Sequence, residues 1–220
     1  MAKFDRLTVY NTMLGAGLVP LFYSGDVAEA KAVAAAVAEG GAPVFEFTNR
    51  GEKALSVFAE VVNANPKVIV GVGSVMDAPT AALFIAYGAN FVVSPVFNAE
   101  VARLCNRRKI PYMPGCGSVS EISVAEEHGV EIAKVFPGES VGGPAFIKAV
   151  LGPMPWSRLM PTGGVEATQA SVREWIKAGA ACVGMGSGLI RKDWLTSKDY
   201  SAISDLTKQC IAWVAEARSK

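Results

Sequence analysis

Residues 18–48 read LVPLFYSGDVAEAKAVAAAVAEGGAPVFEFT, and this stretch decides the fold. It opens on an apolar run at 18–23, turns at Ser24-Gly25-Asp26, and closes on a second apolar run at 43–48. Between them Asp26 can cap a helix whose Ala and Val residues continue to Glu39, where Gly40-Gly41 stops it. Strand, helix and strand, with both strands almost wholly apolar, describe a parallel pair buried on both faces.

The theme recurs along the chain. Apolar runs stand at 18–23, 43–48, 68–74, 91–95, 112–116, 131–137, 158–162 and 182–187. Their spacing of roughly 20 to 26 residues is the size of one βα unit. Asp77 and Thr80 open one intervening helix and Gly88 stops it. Ser118 and Ser120 offer N-caps before a helix ending at Gly129, and Thr168 and Ser171 precede one closed by Gly179. Helices at about 4–15 and 201–217 flank the set. Strict alternation implies parallel strands with right-handed crossovers. The count of eight favours a (β/α)8 TIM barrel with an additional N-terminal helix over an open doubly wound sheet. Eight such units fill 1–220 as a single domain, and no Pro/Ser linker divides them.

Composition narrows the function. The 220 residues carry 21 Lys and Arg against 20 Asp and Glu, a net charge of +1. That balance gives no electrostatic case for nucleic acid or an anionic membrane surface. Hydrophobic residues at 51% and charged ones at 19% suit a large core and exclude global disorder. Four cysteines without CxxC spacing read as reduced thiols of a cytoplasmic protein. The single histidine, His128, excludes two-His metal sites and reads as a helix-end surface residue. No basic stretch followed by an apolar run opens the chain, and no apolar segment reaches ~18 uninterrupted residues, so neither a signal peptide nor a membrane helix is expected.

A barrel presents its reactive groups at the C-terminal ends of its strands. The second run, Pro43-Val44-Phe45-Glu46-Phe47-Thr48-Asn49-Arg50, places a carboxylate between two phenylalanines. Glu46 and Thr48 share a face by the period of two. Glu46 is either an acid/base or half of a loop-stabilising pair with Arg50. The sixth run, Glu131-Ile132-Ala133-Lys134-Val135-Phe136-Pro137, holds one lysine among apolar neighbours. Lys134 is either a nucleophile driven toward neutrality by burial or an outward lysine that snorkels between helices. The last two runs end in Thr162-Gly163-Gly164 and Gly184-Met185-Gly186-Ser187-Gly188. These glycines suit a phosphate cradle after the seventh and eighth strands, or simply tight turns. Ser74 could meet a carboxylate or cap a helix. Cys116 has no histidine beside it in sequence to activate it. Gly71-Val72-Gly73 lies within the third run and lacks a third glycine, so it gives little support to dinucleotide binding.

These residues, in this order, resemble the bacterial 2-keto-3-deoxy-6-phosphogluconate aldolases, also called 2-keto-4-hydroxyglutarate aldolases. The resemblance rests on Phe45-Glu46-Phe47-Thr48-Asn49-Arg50, Gly71-Val72-Gly73-Ser74-Val75, Ser94-Pro95, Lys134-Val135-Phe136-Pro137-Gly138-Glu139 and Pro161-Thr162-Gly163-Gly164. It covers nearly the whole chain. It implies a (β/α)8 barrel, a homotrimer, and a class I aldolase that needs neither cofactor nor metal and takes a small 2-keto acid. Carried over residue by residue, Lys134 would form the Schiff base and Glu46 would be the general acid/base. Arg50 and Ser74 would bind the pyruvyl carboxylate, with Thr162 near that end. Gly163, Gly164, Gly186 and Ser187 would hold a distal phosphate, and Pro95 and Phe136 would complete the substrate site. Ser74 stands where the family often has Thr, and Met185 makes the last glycine run one residue longer. Other readings are an aldolase for the galactonate epimer or for unphosphorylated 4-hydroxy-2-oxoglutarate, a phosphate-binding isomerase or synthase without an imine, and a barrel that only binds.

Overall fold

The computed structural model describes residues 2–64 and 67–219; of the expected 1–220 domain, Met1, Asn65, Pro66 and Lys220 lie outside the described residues. Every apolar run becomes strand. The strands are β1 Leu18–Phe22, β2 Val44–Thr48, β3 Ile69–Gly73, β4 Val92–Val93, β5 Tyr112–Met113, β6 Gly115–Cys116, β7 Ala133–Val135, β8 Leu159–Pro161 and β9 Val183–Met185. The fifth run is divided because Pro114 stands between β5 and β6 with no N–H to give the ladder. So, among the described residues, the expected eight runs form nine short strands in two parallel sheets, ordered β5-β4-β3-β2-β1-β9 and β6-β7-β8. The sheets meet at both edges. One junction is Pro114 itself, whose carbonyl accepts from Lys134 N–H at 2.9 Å. The other is a parallel bridge between Thr162 and Gly184. The result is a curled parallel sheet in an alternating α/β chain.

Helices form where the caps allow. Asp26 accepts from the Glu29 amide at the start of α2, Val27–Glu39. Asp77 does the same for the Thr80 amide at α4, Ala78–Ala86. Ser118, rather than Ser120, caps α6, Val119–Glu127. Thr168 caps α8, Gln169–Lys177, by accepting from Ser171. Each such cap contributes about 1 kcal/mol. The flanking helices are α1 Arg6–Ala16 and α10 Tyr200–Ser219, and a short α9, Lys192–Ser197, was not expected from the sequence. The others are α3 Ala54–Asn63, α5 Ala99–Arg108 and α7 Gly143–Leu151.

The period of two divides the core. Phe45, Phe47, Ala133, Val135, Val183 and Met185 pack outward against the helices. Val44, Ile132, Met160 and Cys182 face the opposite side, where Val9, Tyr10 and Met13 of α1 close the floor. Fully burying a phenylalanine such as Phe45 or Phe47 stabilises by roughly 1.5–3 kcal/mol. Met185 is therefore an outward strand residue, and the turn after β9 begins at Gly186. The four cysteines are free and buried. No helix among the described residues is long and apolar enough to cross a membrane.

Candidate active site

Parity sets the direction of Lys134. Its neighbours Ala133 and Val135 belong to the helix-facing core and Ile132 to the inner one, so Lys134 points inward. The snorkelling alternative does not hold. Glu46 lies on the inner face of β2 by the same rule, between the outward Phe45 and Phe47. Both groups are buried, Glu46 with 1% and Lys134 with 5% of its surface exposed. Burial pulls the Lys134 ammonium below the ordinary lysine range, opposed by the Glu46 charge and assisted by Arg50. Burial likewise lifts the Glu46 carboxyl, opposed by Lys134 and Arg50. Both groups are thus driven toward neutrality.

Glu46 and Lys134 make no ion pair within 4.0 Å. Glu46 Oε2 has no hydrogen-bond partner, and neither does the buried Thr162 Oγ1. Lys134 Nζ sits 4.9 Å from the centre of the Phe136 ring. Nor does Glu46 pair with Arg50. The Arg50 guanidinium turns to Ser74, its Nε donating to Ser74 Oγ at 3.1 Å. Ser74 holds that position with φ of 60°. A β-branched residue is strained there, so serine suits this backbone better than threonine.

Glycines create the space for these groups. Gly73 is the register partner of Thr48. A Cβ on Gly73 would fall on Glu46 Oε1, and one on Gly184 would fall on Thr162 Oγ1. Gly71 instead admits the Phe91 ring. The Gly71-Val72-Gly73 run is therefore steric clearance on the inner face.

Above this layer lies a cavity of about 530 Å³. Thr48, Arg50, Phe136, Thr162, Gly163, Gly164, Gly186 and Ser187 line it. Thr48 and Phe136 each stand two residues beyond Glu46 and Lys134 on the same strand face, so the acid and the amine sit one layer beneath the cavity floor. Among the described residues, the amides of Gly163, Gly164, Ser187 and Gly188 donate to no acceptor. They are available to an anion. Gly163 and Gly164 have φ of 86° and 85°, the backbone that tight turns require. A Cβ on Gly164 would meet Glu139 Cβ, so this glycine is needed for packing as well. Pro95 does not line the cavity; its carbonyl packs where a Gly115 side chain would be.

Tyr23, Glu29 and Lys192, not expected from the sequence, line the same cavity. Tyr23 follows β1, so the rule applied to the other strand ends would have found it. Cys116 stays inert, its thiol pushed up to about 12 by burial. His128 caps the C-terminal end of α6, its Nδ1 2.9 Å from Val124 O, and lines no part of this cavity.

An amine driven toward neutrality, a carboxyl whose charge acts on it and free amides above, at the strand ends of a curled parallel sheet, have the chemistry of a Schiff-base lyase. The family model for KDPG and KHG aldolase matches residues 9–206, and the chain belongs to that family. A 2-dehydro-3-deoxy-phosphogluconate aldolase of Pseudoalteromonas atlantica is 35% identical over 216 residues, 98% of this chain and 99% of the relative. The 2-keto-3-deoxy-6-phosphogluconate aldolase of Zymomonas mobilis, solved with 3-phosphoglycerate, superposes with a TM-score of 0.84 at 28% identity, covering 93% and 95% of the two chains. The KDPG aldolase of Legionella pneumophila, with pyruvate captured as a covalent carbinolamine intermediate, gives 0.82 at 28% identity, covering 90% and 96%.

Proposed function

We propose that this protein is a class I aldolase that cleaves 2-keto-3-deoxy-6-phosphogluconate to pyruvate and glyceraldehyde 3-phosphate. Lys134 Nζ attacks the C2 carbonyl, and loss of water from the carbinolamine gives an iminium. Glu46 moves protons in that dehydration and then takes the C4 hydroxyl proton, directly or through one water. The C3–C4 electron pair flows into the iminium as an enamine, and the aldehyde leaves. Protonation at C3 and hydrolysis release pyruvate and regenerate the free amine. The covalent iminium is the electron sink of this route. Arg50 and Ser74 hold the pyruvyl carboxylate, with Thr162 near it. Phe136 lines the path to the amine, and Gly163, Gly164, Gly186 and Ser187 hold the phosphate.

The observation that carries the reading is the pair itself: two buried, inward titratable groups that make no ion pair, beneath a cavity lined by free backbone amides. In this reading the two sheets act as one eight-stranded barrel, a single domain. Family membership is what supports a cytoplasmic homotrimer. Cleavage of 4-hydroxy-2-oxoglutarate to pyruvate and glyoxylate uses the same imine and needs no phosphate subsite. The test compares kcat/KM for the two acids in wild type and Ser187→Ala. The variant should lose several-fold on the phosphorylated acid alone. Equal losses would make the loops structural turns and the phosphorylated acid the wrong substrate.

A further inference from the structure

Two basic residues follow β9, and the fold separates them. The Arg191 guanidinium pairs with Asp193 at 3.0 Å and lies 4.8 Å from the Trp194 ring centre. It faces a neighbouring groove with Glu166 and Asp205. Lys192, the first residue of α9, lines the substrate cavity together with the two glycine loops. Among the described residues, no ion pair within 4.0 Å holds its ammonium. Among the described residues its lining has one other cation, Arg50, which is turned toward Ser74. Its one acidic lining residue is Glu29, from the first turn of α2. The glycine loops themselves offer only neutral donors.

We propose that Lys192 is a specificity-determining residue, whose ammonium supplies the positive charge for a distal phosphate and selects phosphorylated over unphosphorylated 2-keto acids. The proposal rests on the aldolase reading above. A dianion beside neutral amides gains from each added cation and loses from each nearby carboxylate. Lys192 and Glu29 therefore act with opposite sign on the same end of the substrate. Lys192 sits on an exposed stem, so its contribution is that of a solvent-screened charge, and salt weakens it.

The experiment measures kcat/KM for 2-keto-3-deoxy-6-phosphogluconate and for 2-keto-3-deoxygluconate, which differ only in the phosphate. The readout is their ratio. Lys192→Gln should lower it about two- to fivefold, through KM, and Lys192→Arg should restore most of it. Glu29→Gln should raise it. Added salt should lower the wild-type ratio more than that of Lys192→Gln. A ratio unchanged by Lys192→Gln, or equal losses on both acids, overturns the proposal while wild-type cleavage keeps the aldolase reading. Wild-type protein that cleaves neither acid and forms no reducible adduct with pyruvate overturns both.

Discussion

Gly73→Ala adds one methyl group in the place where the Glu46 carboxylate, the proposed acid/base, lies. The new Cβ would fall on Glu46 Oε1, whereas real Cβ contacts stay at 3.0 Å or beyond. The obstacle is the proposed acid/base itself, and β3 cannot retreat because Gly73 is locked to Thr48 in the ladder. The carboxylate must then shift by on the order of 1 Å, and a displacement of that size costs about 10²-fold in rate. The expected result is a kcat near one hundredth of wild type, with KM changed little because Arg50 and the glycine loops are untouched. Borohydride trapping of pyruvate should persist, since Lys134 is on another strand. The assay is pyruvate release under saturating substrate, with a thermal melt to show the fold intact. Gly71→Ala is the companion: its Cβ strikes the buried Phe91 ring, so it should lower the melting temperature first. A folded Gly73→Ala enzyme with kcat within threefold of wild type would refute the steric argument.

Three further outcomes follow from the same pair. Glu46→Gln should lower turnover by ~10²–10⁴ and still allow slow adduct formation with pyruvate; undiminished turnover would remove Glu46 from the chemistry. Lys134→Met should abolish turnover yet stabilise the fold at neutral pH by on the order of 1 kcal/mol, about 2–4 °C in Tm for a chain of this size. The sign follows from burial: Lys134 has a lower pKa folded than unfolded, so between the two values the unfolded chain holds the extra proton and wild-type stability rises with pH. The gap between variant and wild type should therefore narrow as pH rises toward the unfolded lysine value, and a variant less stable than wild type at pH 7 would contradict this.

Much of the fold is written locally. Each apolar run and each Asp, Ser or Thr cap acts within a few residues, so the strands and most helix starts appear in the chain itself. Pro114 carried its own signal, a missing donor, but its effect is to split a strand and with it the sheet. The site was legible where chemistry is unusual for its setting, as with Glu46 between Phe45 and Phe47 and Lys134 in an apolar run. The face of Lys134 was not, because both sides of such a strand are buried and only the helices packed on Ala133 and Val135 fix it. Gly73 was illegible for a similar reason: the atom it makes room for belongs to another strand. Gly164 serves both readings at once, an open amide and a close contact with Glu139. Lys192 was invisible because α9 turns it into the cavity while Arg191, its neighbour in sequence, is held outside.

The central claim is that the inward lysine of β7 is the nucleophile. The measurement is borohydride reduction in the presence of pyruvate, followed by peptide mass analysis of wild type and Lys134→Met. The expected result is one reduced pyruvyl group on the peptide containing Lys134, with turnover lost in step, and no adduct on the variant. An adduct on any other lysine, or undiminished trapping in Lys134→Met, would contradict it.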